Sequence, residues 1–101
     1  MNAKNFKDKI SDEMVLELYK AITACDNLSD TQVFLEDLLT NQEVEKFAQR
    51  LKAAELLMQG ETYEEVIHVT QISSTTLSRI SKCLQYGDGG YKKIIDKIKK
   101  N

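Results

Sequence analysis

Three Ser or Thr residues are each followed, three positions later, by Glu or Gln at the start of an apolar stretch. This S/T-x-x-E/Q pattern is the capping box, which satisfies free backbone N–H groups at a helix N-terminus. The three pairs are Ser29 with Gln32, Thr40 with Glu43, and Thr62 with Glu65. Because apolar residues recur after each pair at helical spacing, the chain is expected to fold as a series of helices.

The apolar spacing predicts an all-α fold of six helices and no strand. The absence of proline fits this fold class, and a length of 101 residues fits one domain spanning residues 1–101. The third helix is expected to be the longest and to end at Gly60, a residue type typical of helix C-termini. In chain order the expected helices are residues 12–25, Asp30 to Leu39, 40–59, a short helix opening at Thr62, a helix from Ser73 or Ser74 to Tyr86, and a lysine-rich closing helix from Tyr91 to Ile98.

Charge is unevenly distributed along the chain. The formal net charge is only -2, but the segment from Asp12 to Glu45 carries nine acids and one lysine, a net of -8. The remainder carries seven acids and thirteen basic residues, a net of +6. A net charge of -2 counts against a DNA-binding protein, because nonspecific affinity comes from neutralising phosphates, but the distribution of charge along the chain matters more than the total. The alternative is that Lys and Glu simply solvate helix faces.

The segment TYEEVIHVTQISSTTLSRISKCL, residues 62–84, has the organisation of a helix-turn-helix. Two short helices joined by about four residues cross at a steep angle. Apolar residues occupy the positions that such a unit buries, at Val66, Ile67, Ile72, Leu77 and Ile80. The second helix offers hydroxyl and basic side chains for base edges and phosphates, at Ser73, Ser74, Thr75, Thr76, Ser78, Arg79 and Lys82. The alternative is an ordinary helical hairpin whose Ser/Thr cluster serves only capping and solubility.

Two stretches resemble the Trp repressor superfamily, and most closely its YerC/YecD-type branch. They are FLEDLLTNQEVEKFAQRLKAAELLMQGETYEEV and ISSTTLSRISKCLQYGDGGYKKIID. The resemblance implies a six-helix Trp-repressor-like fold in which two chains interlock through their first helices as an intertwined dimer. It also implies an effector pocket at the positions that bind tryptophan in the family, which are Leu39, Thr40, Arg50, Arg79, Ile80 and Cys83.

The chain departs from the family pattern where tryptophan would bind. Ile80 stands where the family has a glycine that makes room for indole, Cys83 replaces a serine, and Asp37 replaces a leucine. Tryptophan is therefore not expected to be the corepressor, and another small-molecule effector stays open. Surface or salt-bridged arginines are the alternative reading of Arg50 and Arg79.

Other functional classes find little support in the sequence. No secretion signal or membrane span is recognisable, which predicts a cytoplasmic protein. Cys25 and Cys83 lack metal-site spacing and are expected to be reduced thiols. His68, the only histidine, has no ligand or nucleophile at useful spacing. No enzyme activity, metal or cofactor is predicted.

The expected function is sequence-specific regulation of transcription by a homodimer that binds double-stranded DNA. Apolar residues of the first two helices offer more surface than one small monomer covers, which favours dimerisation. The alternative is a protein-protein interaction module that keeps the repressor scaffold and docks through its acidic half. Lysines of the closing helix fit DNA-backbone binding and solubility equally well.

Overall fold

The computed structural model describes residues 6–100 and consists, over that range, of six helices without a strand. The helices are α1 (Phe6–Thr23), α2 (Leu28–Leu38), α3 (Asn41–Met58), α4 (Tyr63–Thr70), α5 (Ser74–Tyr86) and α6 (Gly90–Lys99). The predicted all-α class and helix order are confirmed. The chain divides into two compact units, Met1–Thr40 and Asn41–Asn101.

The first unit contains α1 and α2, and none of its residues from 7 to 40 is buried within the single chain. α1 begins at Phe6, earlier than the predicted residue 12. The Ser29–Gln32 capping box was a wrong prediction, because α2 begins at Leu28 and Asn27 is its cap. The Asn27 Oδ1 atom accepts a 2.8 Å hydrogen bond from the Asp30 N–H. The Gln32 amide instead donates to Glu36 Oε1 at 3.0 Å.

The second unit is built around α3, which contacts α4, α5 and α6. Ala53 and Ala54 of α3 are fully buried, and their small side chains leave room for close approach of the neighbouring helices. Phe47 and Leu51, which apolar spacing in the sequence places on one helix face with Ala54, are 50% and 41% exposed in the single chain. The buried apolar core consists of Ala53, Ala54, Val66, Ile72, Leu77, Ile80 and Ile95.

The predicted glycine stop of α3 is confirmed. Gly60 has a φ of +89°, a left-handed conformation that suits a residue without Cβ. The Glu61 N–H donates to the Leu56 carbonyl at 3.1 Å, and the Gly60 N–H donates to the Leu57 carbonyl at 3.0 Å. These two bonds form a Schellman motif, which satisfies the last carbonyls of α3 and turns the chain directly into α4.

Candidate nucleic-acid interface

α4 and α5 form the predicted helix-turn-helix, and a hydroxyl caps each helix. The Thr62 Oγ1 atom accepts a 3.1 Å hydrogen bond from the Glu65 N–H at the start of α4. The Ser73 Oγ atom accepts one of 3.2 Å from the Thr76 N–H at the start of α5. Caps of this kind are worth about 0.5–2 kcal/mol each and fix where the helices begin. They confirm Thr62 as the residue that caps α4, and they confirm the predicted start of α5.

The turn between the two helices is held by a buried threonine. Thr70 Oγ1 donates to the Val66 carbonyl at 2.7 Å and accepts a 3.3 Å hydrogen bond from the Ile72 N–H. One hydroxyl therefore closes the end of α4 and holds the chain that enters α5. Sequence reasoning missed this role, although the β-branched polar stretch that ends α4 was the signal.

Gln71, at the C-terminus of α4, adopts a left-handed conformation with a φ of 61°. Such a conformation costs an L-residue roughly 1–2 kcal/mol relative to right-handed backbone. The Gln71 side chain partly offsets that cost, because its Nε2 donates to the His68 carbonyl at 2.8 Å.

The outer face of α5 carries most of the predicted DNA-binding residues. One side of the helix is buried through Leu77, Ile80 and Ser81. Two predicted residues, Ser73 and Thr76, share a cap: the Ser73 hydroxyl donates to Thr76 Oγ1 at 2.9 Å. The exposed residues of the predicted set are Ser73, Ser74, Thr75, Ser78, Arg79 and Lys82, whereas Thr76 is half-buried.

Four of the six predicted effector-pocket residues line one cavity of the second unit. Arg50 from α3 and Arg79, Ile80 and Cys83 from α5 surround a space of about 150 Å³. Thr76 and Tyr91 complete its lining. Sequence reasoning missed Tyr91, because the Gly-Gly-Tyr start of α6 gives no hint that this ring lies beside α5. The Arg50 guanidinium carbon lies 5.7 Å from the centroid of the Phe47 ring, within cation–π range.

The remaining two effector-pocket residues, Leu39 and Thr40, belong to the first unit. Leu39 is half-buried and caps the C-terminus of α2, with its N–H donating to the Leu35 carbonyl at 2.9 Å. Thr40 immediately precedes α3, which begins at Asn41.

Charges around the helix-turn-helix have both signs. Glu64, Glu65 and His68 are exposed on α4 and, with Thr62, line a shallow space at its N-terminal end. Carboxylates in the first turn of a helix favour its positive end, which gives these acids a local role. Two of the α6 lysines are near acids: Lys92 Nζ is 3.2 Å from Asp96 Oδ2, and Lys99 Nζ is 3.9 Å from Glu55 Oε2.

Within residues 6–100 the structure shows neither a membrane helix nor a metal cluster. Over that range no helix is long and apolar enough to cross a membrane, and no group of three His, Cys, Asp or Glu side chains is placed to hold a metal. Cys25 and Cys83 are free thiols; Cys25 is half-buried and its Sγ donates to the Ala21 carbonyl at 3.6 Å. His68 is exposed.

The sequence of this chain is similar to those of known proteins. A family model described as Trp repressor protein matches residues 13–99. The uncharacterised protein YerC of Bacillus subtilis (strain 168) is 34% identical over 92 residues, which cover 91% of this chain and 88% of YerC.

The fold is similar to those of two solved structures. The crystal structure of a candidate Trp repressor from Staphylococcus aureus matches with a TM-score of 0.82 at 30% identity, covering 95% of this chain and 96% of that one. A TrpR-like protein from Eubacterium eligens ATCC 27750 matches with a TM-score of 0.81 at 30% identity, covering 90% and 94%. By sequence and by fold, the chain belongs to the Trp repressor family.

Proposed function

We propose that this protein is a dimeric, sequence-specific DNA-binding repressor that acts in the cytoplasm without tryptophan as corepressor. Its family consists of DNA-binding regulators rather than enzymes. The observation that carries the proposal is the outer face of α5, where Thr75, Ser78 and Lys82 are exposed on a helix capped at Ser73 and buried along its opposite side.

This face has the chemistry that a major groove requires. The hydroxyls of Thr75 and Ser78 both donate and accept hydrogen bonds, and the threonine methyl suits contact with a thymine methyl. Arg79 and Lys82 supply charge for guanine edges or phosphates. Because the side chains are short on the first turn, the helix backbone can approach the base edges closely.

Exposed apolar surface on the first unit supports a homodimer. Met14 and Tyr19 of α1 are 59% and 61% exposed, and Val33 of α2 is 59% exposed. Because apolar patches exposed on small domains mark protein interfaces, these side chains favour an interface on the first unit. We expect sedimentation to give a dimer at micromolar concentration. A monomer at that concentration would contradict a dimer that binds DNA through two α5 helices.

A dimer with two α5 helices predicts a pseudo-palindromic operator. Its half-sites should lie about 34–36 Å apart, one helical turn of DNA. Selection of bound duplexes from a random pool by the pure protein tests this directly. An enriched two-part motif is expected, and selection that enriches no motif at low salt would argue strongly against the proposal.

Variants of α5 separate base contacts from phosphate contacts. Thr75→Ala should change the preferred bases of the selected motif, whereas Lys82→Gln should weaken binding to all duplexes by a similar factor. Lys20→Gln on α1 removes the same charge from the first unit and serves as the matched control. Equal effects of Lys20→Gln and Lys82→Gln would mean that α5 is not the binding helix.

The cavity beside Ile80 supports independence from tryptophan. Small-molecule pockets usually have about 300–1,000 Å³. The space among Arg50, Arg79 and Ile80 has only about 150 Å³, and Ile80 is 3% exposed. The branched Ile80 side chain thus occupies the region where an indole would need room, and we propose that it acts as a built-in substitute for the ligand.

A second candidate is a protein-protein interaction module on the same scaffold. The acidic residues Glu64 and Glu65 on the exposed surface of α4 favour it, because they would repel DNA phosphates. Binding measured over a salt series distinguishes the two functions, since affinity for DNA falls steeply as salt displaces phosphate contacts. Absence of DNA binding together with a specific protein partner would favour the module.

A further inference from the structure

Titratable side chains cluster on the side of α4 that faces away from the core. Val66 and Thr70 bury one side of this helix. Glu64 lies two residues before Val66 and His68 two residues after it, so both side chains project from the opposite side of an α-helix. Glu64, Glu65 and His68 are all exposed and line one shallow space. We call these three residues the α4 cluster.

The charge of the α4 cluster depends on pH. His68 follows Glu64 by four residues and Glu65 by three, so the three side chains are neighbours on the helix surface. Histidine is the one side-chain type whose ordinary titration lies between about pH 5 and pH 8. The described residues that line the shallow space belong to α4 or its cap, so no charged group of α3 or α5 is among them. Protonation of His68 therefore halves the net negative charge of the cluster.

The place of α4 in the helix-turn-helix brings this charge close to DNA. In such a motif the first helix crosses the DNA backbone while the second lies in the major groove. α4 packs against α5, so a duplex that meets the outer face of α5 brings phosphates towards the exposed side of α4. Phosphates repel the two carboxylates and attract an imidazolium. The His68 side chain is the group of the cluster that can change from neutral to attractive.

We propose that protonation of His68 beside Glu64 and Glu65 makes the DNA affinity of this protein rise as the pH falls. This inference rests on the proposed function. Nearby phosphates favour the imidazolium, so the complex holds more protons than the free protein and DNA. By linkage, binding must then strengthen on acidification through the range in which histidine titrates.

The test uses the fact that His68 is the only histidine in the chain. The His68→Gln variant is neutral throughout the pH range, and His68→Lys is charged throughout. Gln71 is bonded to the backbone carbonyl of His68, so either substitution keeps the atom that accepts this bond. Thermal melting verifies that each variant folds. Affinity for the selected duplex and for a scrambled duplex is then measured between about pH 6 and pH 8 at constant ionic strength.

The unmodified protein should bind both duplexes about three- to tenfold more tightly at the acidic end of this range, with at most one proton taken up per protomer at His68. His68→Gln should bind with the weaker affinity at every pH, and His68→Lys with the stronger affinity at every pH. Calorimetry in two buffers of different ionisation enthalpy should detect proton uptake on binding by the unmodified protein and none by His68→Gln.

Carboxylate variants test whether the α4 cluster faces the duplex. Glu64→Gln should strengthen DNA binding at the alkaline end of the range, because it removes one repulsive charge. Glu17→Gln on α1 is the matched control, since Glu17 is exposed and belongs to the first unit. Equal effects of the two substitutions would overturn the inference.

Two further results would overturn it while leaving the proposed function intact. One is an unmodified protein whose affinity for the selected duplex is the same at both ends of the pH range. The other is a His68→Gln variant that keeps the full pH dependence. An unmodified protein that binds neither duplex at any pH in the range would refute the proposed function and this inference together.

Discussion

Replacement of Ile80 tests whether its side chain takes the place of a ligand. Ile80 is 3% exposed, belongs to the core cluster, and forms one wall of the 150 Å³ cavity. Truncation of a buried Ile to Ala costs about 2–5 kcal/mol, from lost transfer free energy and from the cavity left behind. Because a cavity already adjoins the site, we expect Ile80→Ala to lower the free energy of unfolding by about 2–4 kcal/mol.

Ile80→Gly should cost about 1 kcal/mol more than Ile80→Ala, because glycine has a poorer helix propensity in the middle of α5. Urea denaturation at one fixed protein concentration measures both variants, since a dimer would make stability concentration-dependent. Val69→Ala on α4 is the matched control: Val69 is 50% exposed, and its truncation should cost less than about 1 kcal/mol.

Addition of tryptophan tests whether Ile80 replaces a ligand or is an ordinary core residue. The unmodified protein should show no change in melting temperature or DNA affinity when tryptophan is added, because the buried Ile80 side chain fills the place that an indole would need. The reasoning would be refuted if tryptophan stabilised the unmodified protein. It would also be refuted if Ile80→Gly and Val69→Ala had equal, small effects on stability.

Three further outcomes follow from local geometry. Gln71→Gly should be more stable than Gln71→Ala by about 1 kcal/mol in thermal melting, because only glycine adopts the left-handed turn conformation without strain; an Ala variant of equal stability would contradict this. Gly87→Ala should destabilise the protein by about 1–3 kcal/mol, since a Cβ there would lie 2.6 Å from the Cys83 carbonyl oxygen; unchanged stability would show that the backbone relaxes freely. The Lys52 side chain donates a 2.8 Å hydrogen bond to Glu55, and this bond and the Lys52 charge lower the pKa of the Glu55 carboxyl. The resulting stabilisation is present above the ordinary Glu pKa of 4.5 and is lost as the pH falls through the lowered pKa. Glu55→Gln should therefore slightly reduce stability at neutral pH, and the difference from the unmodified protein should disappear in acid; a difference that grows in acid would contradict the sign.

Helix boundaries that depend on local chemistry could be predicted from the sequence. Thr62 and Ser73 cap α4 and α5, and Gly60 ends α3, because each effect acts within a few residues along the chain. Prediction failed where two caps competed: Asn27 and Ser29 lie two positions apart, and the Asn27 side chain starts α2 first.

Long-range packing was harder to predict. The hydrophobic pattern puts Phe47, Leu51 and Ala54 on one face of α3, but of these three only Ala54 is buried in the second unit, with Ala53 buried beside it. Apolar periodicity marks every apolar face, but it does not distinguish a face that packs inside one unit from a face left exposed.

The family resemblance predicted most, but not all, of the residues that line the small cavity beside Ile80. It identified Arg50, Arg79, Ile80 and Cys83, which the structure brings around one cavity. Their role in binding an effector stays a prediction. Tyr91 was missed, because its contact with this cavity depends on how α6 packs, which no local pattern encodes.

The central claim is that α5 binds DNA sequence-specifically. Its most direct test is the affinity of the pure protein for the selected duplex and for a scrambled duplex, measured over a salt series. The account predicts that both affinities fall as salt rises and that the selected duplex binds at least about 10³-fold more tightly at physiological salt. Equal affinity for the two duplexes, or no binding to either at low salt, would contradict it.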